Sequence, residues 1–179
     1  MGVLRCLSTV APGGPPLPEL SPSSPSSQLR SSWGDLIEQG RPHSPSADNL
    51  SYSIALPGGA YCARLAREAM RTLLTRHGLT ELAETAALAA SELVAGAYRF
   101  TPDREMMLRV RWHFDALRIV LYDQHPAHPT PQAAEKCRDR RSRSMWLLAA
   151  AVDEHGGDWG LTPALTLDGG TKSWALLHR

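Results

Sequence analysis

Glu92 and Gly96 stand four residues apart in the run AETAALAASELVAGAYRF, from Ala83 to Phe100, and so share one stripe of any helix formed there. A carboxylate beside a glycine is odd for a helix built only to pack. A second carboxylate, Asp123, ends the run Leu117, Ile119, Leu121, Asp123, residues of one parity that share a strand face. Three of the four are apolar, so the carboxylate points toward the core. A charge there needs a partner or a ligand, because burying it unpaired is costly. His125-x-x-His128 has the residue types of a metal pair, but no cysteine or carboxylate stands at ligand spacing and the stretch is broken by prolines. It reads as a surface loop. Asp168-Gly169-Gly170-Thr171 is a strong turn signal.

The elements that must position these groups follow from periodicity. Leu82, Ala86, Ala89, Leu93 and Ala97 recur at helical spacing, and Ala and Leu have high helix propensity. Thr80 is the expected N-cap of this helix. Before it, Leu50–Leu56 alternates as a strand, and Ala60–Arg76 reads as an amphipathic helix with Leu65, Ala66, Ala69, Leu73 and Leu74 inward. His77-Gly78 closes that helix. After it, Leu108, Val110, Trp112 and Phe114 face one way and Arg109, Arg111 and His113 the other, which predicts a strand turning at Asp115-Ala116. Gln124–Ser142 is polar and carries Pro126, Pro129 and Pro131, then a basic run over 138–143. Its length suggests a lid or binding loop. Met145–Glu154 is a third helix, with strands near 158–162 and 172–177. Helices on one face of a mixed, mostly antiparallel sheet make a two-layer α/β sandwich.

Residues 1–48 are rich in Pro, Ser and Gly and predict a disordered tail ahead of a domain at 49–179. A net charge of +1 argues against nucleic acid as a partner, since sequence-independent binding needs excess Lys and Arg. No run approaches the length of a membrane span. Cys6, Cys62 and Cys137 are odd in number and far apart, suggesting neither a disulfide framework nor a metal spacing. The N-terminus lacks the apolar segment of a secretory signal. The expectation is a cytoplasmic protein.

The order of elements, with SELVAGAYRF on the second helix, LYDQHP after the central hairpin and GGTKSWALL at the end, resembles the GHKL or histidine-kinase-like ATPases. Within them it is most similar to the anti-sigma-factor, serine-kinase-like branch of actinobacteria. The likeness covers Leu50 to Arg179. It implies a nucleotide site. Glu92 would assist the attacking group, and Asp123 would accept a hydrogen bond from the adenine amino group. Gly170 and Thr171 would lie near the nucleotide. Ser142, Arg143 and Ser144 would hold phosphate at the entry to the helix after the lid, where the family has glycines, with Arg138, Arg140 and Arg141 as further phosphate contacts. Gly96 replaces the asparagine that ligates Mg²⁺ in the family, and a glycine offers that ion no oxygen.

The resemblance therefore implies a regulatory protein that binds a sigma factor or an anti-sigma antagonist. ATP is the implied ligand, while hydrolysis and the Mg²⁺ it needs are weakened or lost. The alternatives are an active ATP-dependent serine kinase and a homodimerising scaffold module. Trp146, at the lid–helix junction, is a lesser candidate to cover an adenine-like ring.

Overall fold

The alanine-rich helix is buried on nearly every side. In α2 (Ala83–Phe100), Ala86, Ala87, Ala89, Ala90, Leu93, Val94, Gly96 and Ala97 are all withdrawn from solvent. Small residues all round let neighbours approach closely, which suits a central helix better than an amphipathic one. The computed structural model describes residues 44–164 and 170–179. The tail expected over 1–48 lies outside the described residues as far as residue 43, as do Asp168 and Gly169 of the expected turn. The described residues form one unit from Ser44 to Arg179, so Ser44–Asp48 belong with the domain.

Around α2 the chain runs β1 (Ser51–Leu56), α1 (Cys62–Arg76), α2, β2 (Met106–His113), β3 (Ala116–Asp123), α3 (Pro131–Ser144), α4 (Trp146–Asp153), β4 (Asp158–Pro163) and β5 (Thr171–His178). The five strands form one sheet in the order β1-β2-β3-β5-β4. All four pairings are antiparallel, so the sheet lacks the mixed character expected of it. The fold is a two-layer α+β sandwich. On β2 and β3 the inner face is the predicted one: Leu108, Val110, Trp112, Leu117, Ile119 and Leu121 join Ala175 and Leu177 of β5 and the helices in a single core. Arg109, Arg111 and His113 lie outside it, exposed.

Local chemistry explains the element ends. Helix α1 closes with a Schellman motif: the Leu79 N–H donates to the Leu74 carbonyl (2.8 Å) and the Gly78 N–H to that of Thr75 (3.3 Å). Gly78 sits at φ +75°, which a side chain resists, and Leu79 is fully buried as the motif's apolar contact. His77 ties this corner to the chain's start. Its Nδ1 donates to the Ser46 carbonyl at 2.6 Å, so Nε2 accepts from the Tyr52 hydroxyl at 2.9 Å.

Several expectations are corrected. Leu65 is 44% exposed, and Cys62 and Met70 take inward places on α1 instead. Thr80 makes no side-chain cap; a single 3₁₀ turn, Thr80–Leu82, leads into α2. The central hairpin turns at Phe114-Asp115, both at positive φ (50° and 54°), and Phe114 is exposed rather than inward. The supposed lid is mostly helix. Thr130 accepts the Ala133 N–H at 3.2 Å as N-cap and Pro131 opens the first turn, so the third proline starts a helix rather than breaking one.

Candidate functional site

Asp123 is the last residue of β3 and faces the core, as its parity predicts. Its partner comes from α3. Arg141, the one buried side chain of that helix, donates from Nη2 to Asp123 Oδ2 at 2.5 Å, and both side chains are almost wholly buried. The backbone N–H of His125 donates to Oδ1 at 3.0 Å. Arg141 also donates from Nη1 to Thr171 Oγ1 at 3.2 Å, and its guanidinium lies 5.4 Å from the centre of the Phe100 ring. Its Nε is buried without a hydrogen-bond partner among the described residues.

Pairing across the sheet delivers Thr171 to this place, since Asp123 and Thr171 are register partners on β3 and β5. Gly170 makes the approach possible. At φ +112°, it would carry a Cβ only 2.5 Å from the Asp123 carbonyl oxygen, so no side chain fits. Asp123, Gly170 and Thr171, singled out in the sequence, thus come together around a residue valued there only as one of a basic run.

The remaining predicted residues lie elsewhere. Ser142, Arg143 and Ser144 occupy the C-terminal turn of α3, where carbonyls rather than N–H groups are free. Ser144 Oγ donates back to the Arg141 carbonyl (2.7 Å) and Arg143 Nε to that of Asp139 (3.3 Å). Glu92 is half-buried on α2 and enters no side-chain hydrogen bond or ion pair among the described residues. Its neighbour Ser91 receives Arg67 Nη2 at 3.0 Å. Gly96 packs against the buried Met145, whose Cε lies 2.8 Å from where a Cβ would stand. Trp146 is 70% exposed.

Next to the Asp123–Arg141 pair lies a cluster that sequence spacing concealed. His125, His128 and Cys137 bring their ligand-type atoms within 4.8 Å of one another, each residue half-buried. His125 Nε2 is 3.5 Å from Cys137 Sγ, and the two imidazole centres are 5.0 Å apart. His125 Nδ1 lies 2.9 Å from the Pro126 carbonyl, which only accepts, so this nitrogen carries the proton. Burial holds the His125 pKa below its ordinary value, with the nearby Arg141 adding to the effect, while the Pro126 hydrogen bond and Asp123 oppose it. The ring is therefore neutral at pH 7, with Nε2 carrying its lone pair toward the thiol.

These groups line a cavity of about 200 Å³ completed by Ala134, Leu161, Pro163 and Ala164. On the far side of Asp123 a wider cleft of about 840 Å³ runs between Phe100–Met107 and Tyr122–Gln124. Among the described residues no helix is long and apolar enough to cross a membrane. No protein-family model matches this sequence, and no curated protein shows significant similarity to it.

Proposed function

We propose that this domain is a regulatory protein of the anti-sigma-factor class, acting through protein–protein contact, with nucleotide hydrolysis lost. The observation that carries the reading is the internal pairing of Asp123. The carboxylate to which the resemblance assigns adenine has one oxygen on Arg141 and the other on a backbone N–H. The Asp123 side chain is wholly buried beneath Arg141, so an adenine amino group would reach it only by opening a charge-assisted hydrogen bond, which is among the stronger kinds. Position 96 adds to the argument. It offers no metal oxygen, and an asparagine there would first have to displace the methyl end of the buried Met145 side chain.

Titration calorimetry on the full chain with ATP and ADP, each with and without Mg²⁺, tests the first half of the reading. No binding below millimolar concentration is expected. Micromolar, Mg²⁺-dependent binding would overturn it and bring the serine-kinase alternative forward. Co-expression with each sigma factor of the source organism tests the second half. A stoichiometric complex that forms without nucleotide is the expected result, and its absence with every one rejects the assignment.

A further inference from the structure

We propose that His125, His128 and Cys137 form a three-ligand site for a zinc-class divalent transition metal, leaving a fourth position open to the adjoining cavity. Two imidazoles and a thiolate are a donor set such ions prefer. The geometry is close to that required. A tetrahedral zinc with bonds of about 2.3 Å to sulfur and about 2.0 Å to nitrogen sets those two ligand atoms about 3.5 Å apart. His125 Nε2 and Cys137 Sγ are 3.5 Å apart, and all three ligand atoms fall within 4.8 Å. A modest swing of His128 completes the triangle.

The arrangement around the cluster is that of a ligand shell. The Pro126 carbonyl accepts from His125 Nδ1 at 2.9 Å and so fixes the tautomer that leaves Nε2 free for a metal. Ligating histidines characteristically donate their other N–H in this way. Two independent pieces of structure supply the donors: the loop after β3, held by the bond from the His125 N–H to Asp123, and the second turn of α3, whose start is fixed by the Thr130 cap. The open position faces a mostly apolar, solvent-accessible recess of about 200 Å³, room for water or a small ligand. On binding, the Cys137 thiol releases its proton to solvent and the metal joins the loop to the helix. The site is independent of the regulatory reading and stands whichever way the nucleotide titration falls.

The test uses the full-length, tag-free, reduced chain, stripped with chelator and titrated with Co²⁺. One equivalent is expected to give the intense visible bands of a tetrahedral ion and a thiolate charge-transfer band, both discharged by one equivalent of Zn²⁺. Cys137→Ser abolishes the charge-transfer band, whereas Cys62→Ser, at a fully buried position apart from the cluster, retains it. His128→Gln weakens Zn²⁺ binding at least about tenfold. Zn²⁺ raises the melting temperature of the parent chain. A pale six-coordinate spectrum, a charge-transfer band that survives in Cys137→Ser, or an unshifted melting temperature would each reject the site and leave His125–Cys137 a plain hydrogen bond. Should a variant fail to fold, X-ray absorption on the Zn²⁺-loaded parent decides: a shell with one sulfur supports the site, and a sulfur-free shell rejects it.

Discussion

A buried ion pair is held less by attraction than by the penalty for breaking it. Asp123 and Arg141 are both withdrawn from water, at 4% and 2% exposure, so removing either strands the other as an unpaired buried charge. Asp123→Asn or Arg141→Met should each cost about 3–5 kcal/mol in urea unfolding. The combined Asp123→Leu, Arg141→Met chain should recover most of that loss, because apolar pairs of similar volume often replace buried ion pairs without cost. Additive losses in the double variant would show that the two residues matter through separate contacts. The strand parity of Asp123 made half of this pair legible. Arg141 was hidden among Arg138, Arg140 and Arg143, which are exposed while it is buried, and nothing local distinguishes it from them. Cys137 was hidden for a different reason. It lies twelve residues from His125, and only the return of α3 across the end of the sheet closes that gap.

At the scale of elements, strong periodicity carried over and weak periodicity did not. The inward stripes of α2, β2 and β3 are apolar but for Asp123 and come out as read, apart from Phe114 beyond the strand end. Helix α3 has an inward stripe too, Ala134, Cys137, Arg141 and then Met145 just past its end, but a cysteine and an arginine occupy places where a leucine would have announced it. The Thr130-Pro131 cap was the signal available, and the proline count masked it. The central hairpin shows the opposite conflict, in which the fold overrides local preference. A two-residue loop with both φ angles positive is the type I′ geometry that favours Asn-Gly, yet it holds Phe114-Asp115. Phe114 is 87% exposed and, among the described residues, its ring meets only that of His113. Phe114→Asn with Asp115→Gly should therefore stabilise the domain by about 1 kcal/mol. Thermal melting checks this, and a lower melting temperature would mean that the His113–Phe114 stack outweighs the strain. Gly78→Ala is the converse case: among the described residues nothing beyond the two chain neighbours lies within 4 Å of the new methyl, so the cost, about 1 kcal/mol, comes from the backbone angle.

Across the whole molecule the secondary structure divides into a deeply packed part and a lightly attached one. Helix α2 sits in the middle of the core, and its amides should exchange with solvent only when the domain unfolds. Helix α3 buries a single side chain, Arg141, and otherwise rests on half-buried Ala133, Ala134 and Cys137. With so little apolar area to hold it, α3 should open locally at a free energy at least about 3 kcal/mol below that of α2, measurable by native-state hydrogen exchange in low denaturant. Two clamps oppose that opening: the Asp123–Arg141–Thr171 network near the C-terminal end of the helix and the His125–His128–Cys137 cluster at its second turn. Each clamp leaves its own signature. Arg141→Met should lower protection along α3 while leaving the exchange of α2 set by global stability. Added Zn²⁺ should raise protection in α3 and in the preceding loop, by an amount that grows with the logarithm of free metal, and leave α2 unchanged so long as global opening stays the rarer event. If α3 and α2 instead exchange at one common free energy, α3 is part of the cooperative core. A metal would then stabilise the fold as a whole instead of fastening one helix to the end of the sheet.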